Sequence, residues 1–214
     1  MTTTILNPTY DTDMNSNAAT SNFDTATILN SGESDSVANQ VRRILLKFDF
    51  SSIPSSAVVV SATLELYAIQ DRTSNTRIKR WYRVKRNVVS DQTTWNIFST
   101  GNSWQTAGCD GANDRESTDI GSLSFNVIPT LNQYYSWTLT ASAIEEMING
   151  VWTTPWLILI TETENGDQVG FESLENAGGN DPKLTIVWTP GTIATYRTRR
   201  GINLLGRHER RLVF

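Results

Sequence analysis

A segment rich in Gly, Asn and Asp runs from Thr94 to Gly121 and carries Trp95, Trp104 and Cys109. Structureless stretches of that length inside a compact domain are uncommon and often functional. Indole faces stack on sugar rings, while Asn, Asp and Arg side chains hydrogen-bond sugar hydroxyls. Trp104 with Asn102, Asp110 and Arg115 therefore makes one candidate glycan platform. The competing reading has both indoles pinning the loop to the body beneath it, Trp95 more so than Trp104. Ile78–Arg86 (IKRWYRVKR) interleaves basic with aromatic residues. Through Arg80 and Tyr82 it could hold a uronic-acid polymer or a nucleic acid, or it is a solvated, edge-protecting strand face.

Catalytic sets are thin. Glu172 and Glu175 are a nominal carboxylate pair, but positions i and i+3 on a strand point to opposite faces. The one His, His208, and the one Cys, Cys109, exclude an ordinary Cys/His zinc site and an internal disulfide. Without a neighbouring base or second thiol, Cys109 reads as a partly exposed loop thiol. No catalytic residue is assigned and the protein is read as a non-enzyme. No metal or cofactor is required by any motif; the alternative is a structural calcium on Asp11, Asp13, Asp24 and nearby carbonyls.

A different chemistry occupies the last 24 residues. Residues 191–214 hold six Arg and one Glu, whereas residues 1–190 hold 12 basic against 21 acidic groups. The break falls at Trp188-Thr189-Pro190-Gly191, so the reading is a domain over 1–190 followed by a basic, apolar tail over 191–214. Arg197, Arg199, Arg200, Arg207, Arg210 and Arg211 offer forked donors to carboxylates on a partner. Ile202, Leu204, Leu205, Leu212, Val213 and Phe214 would gain by burial on the same partner. Gly201 and Gly206 favour an extended backbone over a continuous helix. The acidic domain would repel phosphates, so nucleic acid is not expected as a partner.

The elements that must position these groups are mostly strands. Of 214 residues, 38% are hydrophobic and 19% charged, with 20 aromatics, which suits a folded β-rich chain. No apolar run approaches the roughly 20 residues a membrane-spanning helix needs, so no membrane is called as a partner. Period-two alternation places Ile44, Leu46, Phe48 and Phe50 on one face, and Arg43, Lys47 and Asp49 on the other. It recurs at Val58, Val60, Ala62, Leu64, Leu66 and Ala68, at Leu123/Phe125/Val127, at Tyr135/Trp137/Leu139, and at Leu184/Ile186/Trp188. Trp156–Thr161 (WLILIT) is continuously apolar, as in a strand covered on both faces. Ser142-Ala143-Ile144-Glu145 fits a capping box opening a short helix, with Ile144, Met147 and Ile148 inward and a stop at Gly150. The expected fold is all-β: an antiparallel two-sheet jelly-roll sandwich with one short helix and an extended C-terminal tail. Its core should include Ile44, Leu46, Phe48, Leu64, Leu66, Ile158 and Ile186.

Several ordered stretches resemble DNRLRE-type domains, β-jelly rolls related to carbohydrate-binding modules and disaggregatase-type repeats. They are Ser21–Asp24 through Leu29, Arg43–Asp49 with Ser52-Ile53-Pro54, and Ser61–Tyr67. Thr94-Trp95-Asn96 with Gly101–Gly108, Phe171–Glu175 and Pro182–Ile186 complete the set. The resemblance covers residues 1–189 and implies the fold more sharply than any activity, because such sandwiches serve many functions.

Met1–Asp13 lacks the charged and apolar regions of a secretory signal. With the tail, this leads to an expected non-enzymatic virion structural protein, a capsid decoration, fibre or tail-associated component released by lysis. Its partners would be a capsid or tail protein and copies of itself. The alternative is an extracellular carbohydrate-binding module or adhesin acting on polysaccharide.

Overall fold

The computed structural model describes residues 1–191 apart from 35, 38, 74 and 126–128; the called tail, beyond Gly191, lies outside the described residues. In chain order the strands are β1 (Thr2–Leu6), β2 (Tyr10–Asn15), β3 (Ile28–Glu33), β4 (Val41–Lys47), β5 (Val58–Thr73), β6 (Arg77–Arg83), β7 (Ile97–Ser99) and β8 (Asn102–Ser103). They continue with β9 (Gly121–Phe125), β10 (Gln133–Leu139), then helix α1 (Ala141–Ile148), β11 (Trp156–Thr161), β12 (Asp167–Glu172) and β13 (Lys183–Thr189). The expected antiparallel all-β fold with one short helix is what forms.

Its two layers belong to one sheet that curls on itself. The order is β1-β13-β5-β12-β3-β4-β11-β6-β9, with β10 also on β5 and β2 also on β4. Strand β3 passes between layers: Ile28–Ser31 pair with β12, and Gly32 and Glu33 pair with β4. The corner sits at Gly32, whose φ of +103° is open to glycine, and where a Cβ would lie 2.6 Å from the Asp167 carbonyl oxygen. Leu29, Ile44, Leu46, Phe48, Leu64, Leu66, Trp81, Trp137, Phe171 and Ile186 fill the space between layers. Strand β1 closes one edge on β13, pairing Thr2 with Trp188 and Leu6 with Leu184.

Three expectations are corrected. On β5 the buried phase shifts: Val59 is buried while Val58 and Val60 are exposed. The register explains it, since Val187 pairs with Ser61 and Trp188 with Val59, leaving Val60 as a bulge residue that inverts the alternation. Helix α1 begins two residues earlier than the capping box implied. Its N-cap is Thr140, without a side-chain cap bond, and the Glu145 carboxylate instead accepts the Val59 N–H at 2.8 Å. The apolar face, Ile144, Met147 and Ile148, is buried as the pattern required. Finally, Ile158 lies in a second apolar cluster with Met14, Leu45, Val84, Trp104, Cys109, Trp156 and Ile160. That cluster sits on the outer side of β4, β11 and β6, under the 84–120 segment. The uninterrupted WLILIT run is thus covered on both faces, all six residues buried.

Candidate functional site

The loop that covers this outer layer is organised by one carboxylate. Asp114 Oδ1 accepts from the Gln105 amide at 2.9 Å and from Arg86 Nε at 3.1 Å, and Oδ2 accepts from the amides of Thr106 and Gly111 at 3.0 and 3.1 Å. Burial opposes its charge, but these donors together win and hold the carboxyl below the ordinary Asp range. Trp104 plugs the loop into the sheet: it is 5% exposed, its Nε1 donates to the Thr94 carbonyl at 3.0 Å, and its ring meets Phe98 at 5.4 Å. The glycan-platform role expected of Trp104 is therefore corrected, because a buried indole offers no face for a sugar. Trp95 is the less buried of the two, half-exposed, with the Arg43 guanidinium 5.1 Å from its ring centre. Cys109 is also corrected: it is fully buried, and burial pushes its thiol pKa up and away from reactivity. Asn102 is exposed in β8, where its amide binds Ser99 Oγ and the Thr100 carbonyl, away from the other candidates.

Beside the loop, the remaining four candidates converge. Arg80, Tyr82, Asp110 and Arg115 line one groove of about 380 Å³ together with Arg43, Asp119, Glu162 and Glu164. Strand alternation puts Arg80 and Tyr82 outward, opposite Ile160 and Ile158 of β11. The guanidiniums are held in place. Arg115 donates to Asp110 Oδ1 through Nη2 at 2.7 Å and lies 4.2 Å from the Tyr82 ring centre. Arg80 donates to Asp119 at 3.3 Å and Glu162 at 3.1 Å. Arg43 grips Glu164 with two bonds of 2.8 Å and donates a third, also 2.8 Å, to the Gly108 carbonyl. The Tyr82 hydroxyl makes no hydrogen bond to a described residue; burial raises its pKa, against the pull of Arg115, so it is a protonated donor at neutral pH.

The basic row of 78–86 does not form one surface. Lys79 and Arg83 point inward: Lys79 is fully buried, and Arg83 is clamped by Glu116 and Glu146. Arg86 is spent on Asp114 and Lys85 on the Ala112 carbonyl, which leaves Arg80 alone of the row in the groove. Sequence reading missed Asp119, Glu162 and Glu164, which became legible only with the β6–β11 pairing. Arg43 had been placed on the outward face, and that much pointed to it.

Each of the groove's four carboxylates is engaged by an arginine, and the described residues contain no His. For the possible calcium site, Asp13 is already committed to Arg42 at 3.0 Å and to the Asn30 amide groups. Among the described residues no three His, Cys, Asp or Glu side chains are grouped so that they could hold a metal, so Asp11, Asp13 and Asp24 do not form the trio of the calcium alternative.

Curated proteins give no match to the sequence. A family comparison does, and it falls on the carbohydrate-binding side of the resemblance already read. Residues 2–188 match carbohydrate-binding module family 96, nearly the entire described chain, and the protein belongs to that family.

Proposed function

We propose that this protein binds polysaccharide without transforming it, and that the groove over β6 and β11 is its binding surface. The observation that carries the reading is the grouping of Arg80, Arg115, Asp110 and the Tyr82 hydroxyl in one open, polar groove. Paired guanidinium and carboxylate groups present donors and acceptors side by side, the pattern that neighbouring hydroxyls of a sugar ring satisfy in pairs. Membership of a carbohydrate-binding family supports the same reading, and such families are typically non-catalytic.

Charge favours a neutral glycan. The groove sets four carboxylates against three guanidiniums, so a polyuronate would meet a slight excess of its own sign. The virion reading rests on the tail, which is outside the described residues; no observation favours it, and the glycan reading takes its place.

Affinity electrophoresis against neutral polysaccharides and a polyuronate tests the proposal. Retention on a neutral polymer is expected, persisting at about 0.5 M salt because exposed charge attraction is screened there. The double variant Arg80→Ala/Tyr82→Ala should bind about tenfold or more weakly, the loss of one to two hydrogen bonds. Full binding by that variant would move the site elsewhere, and no retention on any polymer would end the glycan reading.

A further inference from the structure

Three junctions in the sequence place an acid or amide side chain directly before glycine: Asp110-Gly111, Asn149-Gly150 and Asn165-Gly166. At such a junction the side-chain carbonyl carbon and the next backbone nitrogen can close a five-membered ring, and glycine carries no side chain to obstruct the closure. Sequence alone ranks the two Asn-Gly pairs equally. The fold separates all three.

Two of the junctions are held shut. The Gly111 N–H, on the nitrogen that would attack, donates to Asp114 Oδ2 at 3.1 Å, and the Asp110 carboxylate is tied to Arg115 at 2.7 Å. Asn165 is fixed on both sides: its N–H donates to Asp167 Oδ1 at 3.1 Å and its carbonyl accepts from Asn75 Nδ2 at 3.1 Å. Gly166 is buried next to it. By contrast, Asn149 and Gly150 stand in the turn after α1, both exposed. The Asn149 side-chain amide makes no hydrogen bond to a described residue, and the Gly150 N–H makes no backbone bond among them. The Asn149 N–H is tied to the Glu145 carbonyl at 2.9 Å, a bond that ring closure does not use. Gly150 has a φ of +75°, and a Cβ there would meet nothing within 4 Å, so the backbone has room to turn its nitrogen toward the side chain.

We propose that Asn149 is a site of spontaneous modification in the folded protein, deamidating through a cyclic imide while the other two junctions are spared. The Gly150 nitrogen attacks Asn149 Cγ and gives up its proton. A C–N bond forms, the bond from Cγ to the side-chain amide nitrogen breaks, and ammonia leaves with that proton. Water then opens the imide at either carbonyl, giving aspartate or, with the backbone rerouted through the side chain, isoaspartate. Either product places a carboxylate at the C-terminal end of α1, where Glu145 and Glu146 already stand and no basic residue offsets the helix dipole. Glu146 anchors α1 to Arg83, and Glu145 anchors it to the Val59 N–H. Modification therefore loosens the helix whose Ile144, Met147 and Ile148 complete the core. The site is independent of the glycan groove.

The test ages the whole native chain in warm, mildly alkaline buffer, where the attacking nitrogen loses its proton more readily. Peptide mapping that resolves Asn, Asp and isoaspartate follows each junction. Asn149 should convert about tenfold or more faster than Asn165 or Asp110, because one or two hydrogen bonds that must open first reduce the reactive population by that factor. In denaturant the two Asn-Gly pairs should react at similar rates. The aged protein should melt below the fresh one. Asn149→Gln, whose longer side chain would have to close a six-membered ring, should keep its melting temperature through the same treatment. Conversion of Asn165 or Asp110 as fast as Asn149 in the native chain overturns the proposal. So does an intact native Asn149 over the time in which the denatured chain reacts.

Discussion

Lys79→Met is expected to cost about 3–5 kcal/mol of folding stability, the scale of a buried ion pair losing one partner, and chemical denaturation reads it directly. Lys79 is fully buried, and its ammonium donates to the Ser31 carbonyl at 2.9 Å and to Thr161 Oγ1 and the Asp167 carbonyl at 3.0 Å each. It also stands 3.8 Å from Asp167 Oδ2, an oxygen with no hydrogen bond of its own. Methionine keeps most of the volume and removes every donor, stranding a carboxylate that is 1% exposed. A further signature follows from titration. Burial, opposed by Asp167 and Glu164, lowers the Lys79 pKa to about 8 from the 10.5 of an ordinary lysine. Between those values the unfolded chain holds a proton that the folded one has released, so wild-type stability should gain from this group as pH rises across the window. Lys79→Met should lose that gain. If the variant unfolds at the wild-type denaturant midpoint, the inward placement of Lys79 is wrong.

The second large effect concerns the indole that sequence pattern placed in a binding platform. Trp104→Ala should cost about 3–5 kcal/mol, the range for a large aromatic truncated inside a packed cluster, because the ring fills the space between loop and sheet and its N–H satisfies the Thr94 carbonyl. The loss should appear first as a lower denaturation midpoint. Unchanged stability with abolished glycan binding would instead put the indole face in contact with ligand.

Local pattern made most of the fold legible. The WLILIT segment announced a strand buried on both sides, although nothing local said that the second cover would be the 84–120 loop. Alternation found the core face of β4 and of β5 from Ala62 onward. It failed at Val58 and Val60 because a bulge is fixed by the partner strand β13 and leaves no mark in β5 itself. The site was legible in part. Asp110, Arg115, Arg80 and Tyr82 do meet in one groove, but Glu162 and Glu164 enter through pairing across about 80 residues of sequence. Residue type alone also misjudged Lys79 and Arg83: long cations read as solvated, whereas here buried acceptors and acids draw them inward.

The pairing of β1 with β13 has a consequence for synthesis. Thr2 finds its partner only at Trp188, so the first strand made is among the last that can be placed. At about 5–20 residues per second, a nascent chain carries β1 unpaired for roughly 10–40 s before β13 exists. Contacts of such sequence separation also slow the final closure. The composition of β1, TTTIL, tempers the hazard: three threonines precede its two apolar residues, giving a waiting strand that water tolerates and that offers little to a neighbouring ribosome's product.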